Sequence, residues 1–536
     1  MSGDISSYGI ILSSAYLVPG LVAEFGRLPS SFLSLANRRL YKWQVESLKP
    51  LTSNGLLMTL PEGYVLEAFD KVWLAENNVS THFLKAQSSL GEVLADVLKV
   101  IPEEVEELWI LFGDTYISNI ASLPPDTLAV GHVQEHSNWG YCLQYESGQI
   151  KIVESVDSNS SGTRPVVCGA FRLNKKRFAC CLPEADNDFY AALGLYSTKH
   201  RLDPFVVGKS WFDFGHLHTY FRSRQAFTTE RSFNAIKMEN RKVSKFSGDM
   251  AKMLAESAWF EQVPRDLSVF LPNYLGRVRK ENMAGYAMEY LYLTPVNDLF
   301  VHGKLPQYVW EQILTACKSF METCADFPPK EELESDLNWL YGQKTKKRLK
   351  DFASVRGLSL DKPWVFNGRP MPCLNDIFAQ VLQAVQTASP DKICVIHGDF
   401  HFANIFFDFR SLGIKMVDPR GLIKDIPTIY GDSRYDLAKL SHSITGLYDY
   451  IIAGILRASM PKAYELVFEV PVIDQAERVA KVFTPMTFNG LSPNDPEIKA
   501  IVILLFLSML PLHADKPERQ TTLLANVFRL YDDFIS

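Results

Sequence analysis

The chain has 536 residues, of which 47% are apolar and 22% are charged, and its formal net charge is −6 at pH 7. At about 150 residues per domain, this length predicts roughly three or four domains rather than a single core. The composition is that of a globular protein, and the slightly acidic balance argues against a nucleic-acid-binding surface, which would carry a basic excess.

The cysteines and the longest apolar runs indicate in which cellular compartment the protein is expected. The eight cysteines include no Cys-x-x-Cys pair, so they predict no disulfide framework and fit a reducing compartment. The first twenty residues contain Asp4 and no basic region, which is a poor match to a signal peptide. The run AIVILLFLSMLPL from Ala500 is shorter than the ~20 residues that span a bilayer and contains Pro511. We therefore expect a buried helix there, no membrane span and a cytoplasmic protein.

The N-terminal part alternates short apolar runs with helical spacing. YGIILSSA, GLLMTLP and EELWILFGDTYI predict strands, and RRLYKWQVESLKPL between the first two predicts a helix. This β-α-β order predicts an open, mainly parallel sheet. A hairpin-like region, WGYCLQYESGQIKIVES, follows, and Ser158 to Pro165 form a polar loop.

From about Ser232 the pattern changes. FNAIKMENRKVSKFS predicts a hairpin with its turn at MENR, GDMAKMLAESAWFEQVP predicts a helix, and YAMEYLYL predicts a strand. After about Leu305 the pattern is mostly helical, apart from the hairpin-like pair CVIHGDFHFANIFFD and GIKMVDPRG. The basic stretch from Gly342 to Asp351, GQKTKKRLKD, is most simply a solvated helix face.

The hairpin-like pair contains the residue types that phosphoryl transfer requires. Such transfer needs a base for the acceptor hydroxyl, oxygen ligands for Mg²⁺ and a lysine on the nucleotide phosphates. Asp399 follows an apolar strand and is a candidate base, with Asn404 five residues later. Asp418 ends the strand IKMV, so a hairpin would bring Asn404 and Asp418 to one end, where their oxygens suit Mg²⁺.

Upstream segments supply candidates for nucleotide binding. RKVSKF places Lys245 on a strand, and Glu256 lies eleven residues later on a predicted helix. A helical glutamate that anchors a strand lysine is the usual way to hold the ammonium over the phosphates. The strand AMEYL, Ala287–Leu291, is a candidate hinge whose backbone groups at Glu289 and Leu291 would face adenine.

HGDFHFAN followed by VDPRG resembles the catalytic loop and metal-binding aspartate of the aminoglycoside phosphotransferase and choline kinase family. The resemblance spans roughly residues 232–536 and implies a two-lobed, protein-kinase-like fold that uses ATP and Mg²⁺. No glycine-rich loop precedes the candidate lysine, and the family often lacks one. The acceptor implied is a small molecule with a hydroxyl, such as choline, ethanolamine, a polyol or a sugar.

The same resemblance implies roles for individual residues. In chain order these are Lys245 on the phosphates, Glu256 as its partner, Asp399 as the catalytic base, and Asn404 and Asp418 as Mg²⁺ ligands. YDLAKLSHS resembles a later family segment, in which Asp436 would brace the catalytic loop. His397 is expected to hold the loop by hydrogen bonds. Lys242 and Lys252 remain alternatives to Lys245.

A metallohydrolase is the alternative interpretation of the same segment. His397, Asp399 and His401 alternate, so on a strand they would face one side and could ligate a metal. Sites rich in imidazole favour zinc or iron and would require further histidines, which are scattered in this chain. This alternative leaves Asn404 and Asp418 without a role. His401 could equally fill the loop or line a substrate pocket.

The N-terminal part, about residues 8–224, resembles the sugar-phosphate nucleotidyltransferases, which have a GT-A-like, Rossmann-type fold. The residues in step with the family's first motif are Pro29, Leu33, Arg38, Leu40, Trp43 and Gln44. LWILFGDTYI resembles the strand with the family's metal-binding aspartate, here Asp114. KSWFDFGHLHTYFRS resembles its W-x-D-x-G motif and implies a second metal ligand at Asp213. Two carboxylates from separate segments could hold the cation on a triphosphate.

The phosphate-binding positions of this resemblance are altered. The glycine-rich loop contains only Gly20 and Gly26, and Arg27 is the candidate replacement for its arginine. Ser30 stands where the family has a lysine, and Glu154-Ser155 stands where it has a Glu-Lys pair. Loss of two ammonium groups would weaken the binding of an anionic substrate and its transition state. We therefore expect an inactive or altered nucleotidyltransferase-like domain, with an active enzyme as the alternative.

Taken together, the sequence predicts an α/β protein of two parts. A Rossmann-like nucleotidyltransferase-type domain covers residues 1–225, a kinase N-lobe covers 232–305, and a kinase C-lobe with helical additions covers 306–536. A fusion of this kind favours a role in making activated precursors for surface polysaccharide or lipid head groups. The alternatives are a bifunctional enzyme that makes an NDP- or CDP-linked compound and a non-catalytic nucleotide-binding assembly factor.

Overall fold

The computed structural model describes residues 5–133, 141–144, 150–153, 164–231, 236–239, 241–280, 282–331, 338–385 and 393–536. The Glu154-Ser155 pair lies outside these residues. The chain divides into two compact units, Met1–Thr228 and Thr229–Ser536. All eight cysteines are free.

Unit 1 is built on a nine-stranded sheet flanked by helices. Its strands are β1 Ser7–Leu12, β2 Leu56–Pro61, β3 Val79–Leu84, β4 Glu107–Phe112, β5 Thr115–Ile117, β6 Thr127–Val133, β7 Tyr141–Gln144, β8 Ile150–Val153, β9 Arg164–Asn174, β10 Asp203–Val206 and β11 Trp211–Asp213. Its helices are α1 Pro19–Phe25, α2 Leu40–Leu48, α3 Ala68–Glu76, α4 Leu90–Val97, α5 Lys175–Glu184, α6 Phe189–Lys199 and α7 Leu217–Arg231.

The sheet of unit 1 has the strand order β10-β6-β9-β4-β1-β2-β3, and β7 and β8 extend it from β9. β1 runs parallel to β2 and β4, as the β-α-β pattern predicts. β9 runs antiparallel to both β4 and β6, so the sheet is mixed rather than mainly parallel. β1, β2 and most of β4 are fully buried apolar runs, as expected for strands covered on both faces.

The first part of unit 2 is a four-stranded antiparallel sheet with one helix. The strand order is β12-β13-β15-β14. The elements are β12 Ile236–Glu239, β13 Lys242–Ser247, α8 Met250–Gln262, β14 Tyr274–Lys280 and β15 Met283–Glu289. β12 and β13 pair as the predicted hairpin. α8 packs against β15 through its buried face.

The rest of unit 2 is mainly helical. Its helices are α9 Val296–His302, α10 Gln307–Ala325, α11 Lys344–Arg356, α12 Leu374–Ala384, α13 Ser433–Ile444, α14 Tyr448–Ile452, α15 Asp474–Phe483, α16 Pro496–Met509 and α17 Pro517–Ile535. Its short strands are β16 Thr294–Pro295, β17 Trp364–Phe366, β18 Arg369–Met371, β19 Ile393–Val395, β20 Ile405–Asp408, β21 Gly413–Met416, β22 Leu422–Ile423, β23 Ile426–Pro427, β24 Tyr430–Asp432, β25 Ser459–Lys462 and β26 Glu465–Val467.

Most of the apolar run from Ala500 lies in α16, as predicted, and its last residues form a 3-10 turn, Leu510–His513. α16 packs against α11, α12, α13 and α17, and Ile498 and the residues from Ala500 to Leu507 are buried. Among the described residues, the segment Pro496–His513 is the one long and apolar enough to cross a membrane, and 56% of it is buried inside the protein.

Candidate active site

The β20–β21 hairpin brings two predicted site residues together. β20 and β21 pair antiparallel, with Asn404 just before the first strand and Asp418 just after the second. The Val417 N–H donates to the Asn404 carbonyl (3.1 Å), which closes the open end of the hairpin. Asp418 has a φ of 57°. Both residues therefore lie at one end of the hairpin, as the sequence predicts.

Asp399 lies beside this end and is held by three side chains. Lys439 Nζ is 2.8 Å from Asp399 Oδ1, and His401 Nε2 is 3.5 Å from Oδ2. Asn404 Nδ2 donates to Asp399 Oδ2 (3.1 Å) and to the Asp399 carbonyl (3.0 Å). Because the Asn404 amide group uses its N–H bonds in this way, its Oδ1 is the atom left to accept or to ligate.

The charge of Asp399 is set by these neighbours. Burial favours the protonated acid, but the charges of Lys439 and His401 outweigh it. The pKa of Asp399 consequently lies well below its usual range, and the side chain is a carboxylate at neutral pH. An ionised carboxylate can accept a hydrogen bond from a hydroxyl.

Lys245 is held between two carboxylates. Its Nζ lies 2.8 Å from Glu256 Oε2 and 2.9 Å from Asp418 Oδ1. The Tyr286 hydroxyl is 2.9 Å from the same Glu256 oxygen and 3.2 Å from Asp418 Oδ1. Lys252 is 3.8 Å from Glu256 and more exposed, and Lys242 lies at the register position opposite Glu289, away from the cleft. Lys245 is therefore the lysine that the structure places at Glu256 and Asp418.

Asp436 and His397 order the loop before Asp399. The Asp436 carboxylate accepts bonds from the His397 N–H (2.7 Å) and the Gly398 N–H (2.8 Å). His397 Nε2 donates to the Val417 carbonyl (3.0 Å), and Nδ1 accepts from the Asp399 N–H (3.3 Å). Burial lowers the pKa of His397 to about 4, so the ring is neutral at pH 7. His397 thus links the loop to the end of β21.

The geometry does not assemble the metal nest of the metallohydrolase alternative. His397 Nε2 bonds to the Val417 carbonyl and Nδ1 accepts from the Asp399 N–H, so the ring has no lone pair directed at a metal. His401 Nδ1 accepts from the Ala403 N–H (3.3 Å). Within the described ranges, no three His, Cys, Asp or Glu side chains come together as a cation site.

These residues line one cleft of about 550 Å³ in unit 2. Lys245, Glu256, Asp399, Asn404 and Asp418 all contribute to its wall. The two predicted hinge residues do not line this cleft within the described part of the chain. The Glu289 N–H donates to the Asn273 carbonyl (3.0 Å), and the Glu289 carboxylate accepts two further bonds from Asn273. Leu291 follows the end of β15 and is half-buried.

Unit 1 brings its two predicted metal ligands together. β5 and β11 pair antiparallel, and the Phe214 N–H donates to the Asp114 carbonyl (2.8 Å). A Cβ on Gly215 would lie 2.7 Å from Asp114 Oδ2 and 3.5 Å from Asp213 Oδ1, so both carboxylates border the same glycine. Asp213 Oδ2 is buried without a hydrogen-bond partner among the described residues. His216 Nδ1 lies 3.8 Å from this oxygen, at ion-pair distance. Two adjacent carboxylates still fit a divalent cation.

Burial and the charge of Asp213 raise the pKa of Asp114 to about 6.

The turn that carries Asp114 is fixed by Gln44 on α2. Gln44 Nε2 donates to the carbonyls of Phe112 (3.0 Å), Gly113 (3.1 Å) and Thr115 (2.8 Å). Gln44, which belongs to the first motif, therefore holds the backbone of the turn at Asp114 in place through three hydrogen bonds.

The segment expected as a glycine-rich loop is partly helical. α1 Pro19–Phe25 occupies it, and Leu21 and Phe25 are completely buried. Phe25 packs edge-on against Tyr220, with ring centroids 5.0 Å apart. The Arg27 guanidinium lies over the Tyr16 ring, 4.0 Å from its centroid. This segment therefore packs through apolar side chains instead of presenting a run of backbone N–H groups.

The fold resembles solved structures of both predicted kinds. The inositol-1-phosphate CTP transferase from T. maritima aligns with 44% of this chain and 99% of its own, at 14% identity and a TM-score of 0.35. The UDP-glucose pyrophosphorylase from Acinetobacter baumannii covers 43% of this chain and 95% of its own, at 14% identity and a TM-score of 0.33. An aminoglycoside-3'-phosphotransferase of type VIII covers 55% of this chain and 84% of its own, at 14% identity and a TM-score of 0.27.

No protein-family model and no curated protein matches the chain. The helices and strands of both units agree with the predicted α/β class.

Lys439 and Tyr286 were missed in the sequence. Lys439 lies on α13 with Asp436 and His442, spaced three residues apart on a helix that is buried over almost its whole length. Polar residues at helical spacing within a buried helix are a usable signal, because each must have a partner there. Tyr286 gives no such signal, because its hydroxyl contacts depend on α8 and on Asp418, which is distant in sequence.

Proposed function

We propose that unit 2 is an ATP- and Mg²⁺-dependent kinase that phosphorylates a hydroxyl of an alcohol, amino alcohol or sugar. The observation that carries the proposal is the convergence of Lys245, Glu256, Asp399, Asn404 and Asp418 on one cleft. A base, a fixed lysine and two oxygen ligands are what phosphoryl transfer asks of a protein.

In this proposal Asp399 orients the acceptor hydroxyl. The acceptor oxygen bonds to the γ-phosphorus as the bond to the β–γ bridging oxygen breaks, and ADP leaves with that bonding pair. The hydroxyl proton passes to Asp399 and then to solvent. Because the pKa of Asp399 is low, this carboxylate is a weak base, and its main contribution is orientation.

The residues around Asp399 support nucleotide binding. Lys245, fixed by Glu256, would contact the phosphates. Of the two expected hinge residues, Leu291 would offer its backbone to adenine, since the Glu289 N–H is already bonded to the Asn273 carbonyl. Asn404 Oδ1 and the Asp418 carboxylate would hold Mg²⁺. When bound, the cation neutralises phosphate charge.

For unit 1 we propose an inactive or altered nucleotidyltransferase-like domain, because α1 replaces the loop and Ser30 replaces a lysine. The adjacent carboxylates of Asp114 and Asp213 favour the second candidate, a bifunctional kinase and nucleotidyltransferase. Either function would suit the supply of activated precursors for surface polysaccharide or lipid head groups in the cytoplasm. That context rests on analogy with the two fold types.

The kinase proposal is tested by thermal shift of the full chain with ATP and Mg²⁺. We expect a rise in Tm in the wild type and in Asp399→Asn, and its loss in Asp418→Ala. ADP formation with a panel of alcohols and sugars should then be lost in Asp399→Asn. No ATP-dependent shift in the wild type would refute the kinase, and full turnover by Asp399→Asn would refute the assigned base.

A further inference from the structure

Three basic side chains that line the cleft have no carboxylate partner among the described residues. Lys344 and Arg348 come from α11, and Arg420 follows Asp418 by two residues; all three line the cleft. Within the ranges that the structure describes, no carboxylate lies within 4.0 Å of any of the three. Partial removal of an unpaired cation from water destabilises the folded protein. A ligand that pairs with the charge would offset this cost.

The other lysines on α8, α13 and β13 that face the cleft are paired. Lys245 and Lys252 contact Glu256, and Lys439 contacts Asp399. These carboxylate partners distinguish the three lysines from Lys344, Arg348 and Arg420.

The contacts of the unpaired cations are with neutral groups. Arg348 donates to the Ser508 carbonyl (3.1 Å), and the Arg420 guanidinium lies 5.4 Å from the centroid of the Tyr435 ring. Lys344 Nζ lies 5.8 Å from the centroid of the Trp339 ring. None of these contacts cancels the positive charge.

The cations lie close to one another and to the reacting end of the site. Burial and then the charges of Arg420, Arg348 and Lys439 lower the pKa of Lys344 to about 6, opposed by Asp399. Lys344 is therefore mostly uncharged at pH 7 while the cleft is empty, and a nearby anion would favour its protonated form. The Arg420 N–H donates to the His397 carbonyl (2.9 Å).

Gly398, beside Asp399, has a φ of 75°, and a Cβ on it would lie 2.7 Å from the Cβ of Arg420. The backbone of Arg420 is therefore fixed against the loop that carries Asp399.

The position of Lys344 and Arg348 corrects the sequence interpretation of their segment. GQKTKKRLKD is a solvated face only in part: Lys346, Lys347 and Lys350 are exposed, whereas Lys344 and Arg348 are half-buried against the cleft. Positions 344 and 348 are one helical turn apart, so they share a face of α11.

We propose that Lys344, Arg348 and Arg420 form an acceptor subsite for an oxyanion, so that the alcohol phosphorylated at Asp399 itself carries a carboxylate or a phosphate. This inference rests on the kinase proposed above and narrows its acceptor. A bound oxyanion would pair with the two guanidinium groups and with Lys344 once it is protonated, and would place the hydroxyl near Asp399. Cationic acceptors such as choline and ethanolamine would be repelled from the same place.

The subsite is tested by thermal shift of the full chain with malonate or inorganic phosphate, at constant ionic strength and with saturating ADP and Mg²⁺ to fill the nucleotide site. The wild type should show a saturable rise in Tm. Charge-assisted contacts of this kind predict roughly 10- to 100-fold weaker binding in Lys344→Gln/Arg348→Gln. The single variant Lys344→Gln should show an intermediate loss, and it is available if the double variant does not fold.

The matched control is Lys346→Gln/Lys347→Gln, which removes the same charge from the exposed face of the same helix. It should bind both anions as the wild type does. Absence of saturable anion binding in the wild type, or an equal loss in the control, would overturn the subsite. Loss of the ATP–Mg²⁺ shift in folded Lys344→Gln/Arg348→Gln would also overturn it, because the cations would then serve the nucleotide.

The rate of ADP formation with different acceptors shows whether the subsite prefers a carboxylate or a phosphate. ADP formation is compared for glycerol, glycerate, glycerol 3-phosphate and choline. Preference for glycerate indicates a carboxylate, and preference for glycerol 3-phosphate indicates a phosphate. Preference for glycerol or choline over both anions contradicts the proposal. A wild type that shows no ATP–Mg²⁺ shift refutes the kinase itself, whereas an ATP–Mg²⁺ shift without an anion shift removes only the subsite.

Discussion

Asp399 is kept ionised by a partly buried lysine that lies outside the HGDFHFAN motif. Lys439 lies 2.8 Å from its carboxylate, on the helix whose Asp436 binds the loop backbone. One turn of α13 therefore supplies both the charge that lowers the pKa of Asp399 and the acceptor that orders the peptide before it. The local motif predicted Asp399, but not the cation that sets its charge, because that cation is forty residues away in the chain.

Removal of this cation should alter the pH profile of the kinase. In Lys439→Met, burial of Asp399 is opposed only by His401 and by the hydrogen bond from Asn404, so the pKa of Asp399 rises, by roughly 1–3 units for the loss of a charge at this distance. The acid limb of kcat/KM should move to higher pH by a similar amount. Lys439→Arg, which keeps the charge, is the control. An acid limb unchanged in Lys439→Met would show that Lys439 does not set this pKa.

His397 should make stability depend on pH. Its pKa is about 4 in the folded protein and about 6.5 when unfolded, so the unfolded state binds more protons between these values. Stability due to His397 is therefore lost as pH falls through this window, by about 2 kcal/mol from pH 7 to pH 5. Urea unfolding of His397→Gln should show a smaller loss over this range. An equal loss in both proteins would assign the pH dependence to other groups.

At the level of elements, the hairpins were predictable and the sheet partners were not. Turn residues and alternation are local, so β12–β13 and β20–β21 follow from the sequence. The direction of β9 depends on its neighbours β4 and β6, which are distant in the chain, and the β-α-β rhythm gave no sign of it. The helix α1 was also missed, because its segment was matched to the glycine-rich loop of the nucleotidyltransferase resemblance.

The contact of β13 with β15 depends on a glycine. A Cβ on Gly285 would lie 2.1 Å from the Lys245 carbonyl, so Gly285→Ala must push β13 away and carry Lys245 with it. Overpacking of this kind costs about 1–3 kcal/mol. We expect a lower Tm and a reduced ATP–Mg²⁺ shift.

The control for Gly285→Ala is Gly248→Ala, at a position where an added Cβ meets nothing within 4 Å. Its Tm and its ATP–Mg²⁺ shift should match those of the wild type. Wild-type nucleotide binding by Gly285→Ala would show that the strand spacing does not position Lys245.

For the whole molecule, each of the two units carries its own pair of candidate Mg²⁺ ligands. Asp114 and Asp213 lie in unit 1, and Asn404 and Asp418 lie in unit 2. The sequence predicted both pairs because each follows a strand end with a recognisable motif. It did not predict Lys344 and Arg348 at the cleft, because an isolated basic helix gives no information on which face is covered.

The proposal for the two units predicts the products of the full chain. With ATP, Mg²⁺ and an accepted alcohol, we expect ADP and no pyrophosphate, including when the phosphorylated product is supplied with CTP, UTP or GTP. ADP and pyrophosphate assays on the same samples provide the measurement. Pyrophosphate that disappears in Asp114→Asn/Asp213→Asn would instead establish the bifunctional alternative.

On the proposal that unit 1 is an inactive nucleotidyltransferase-like domain, α1 limits what a single substitution could restore. A lysine in place of Ser30 would add one ammonium group, but Leu21 and Phe25 would still anchor a helix in the segment matched to the phosphate-binding loop. Unfolding that helix would expose two buried apolar side chains, at about 1.5–3 kcal/mol each. Recovery of nucleotide transfer would thus require a redesigned segment between Leu12 and Leu28, and no single substitution should achieve it.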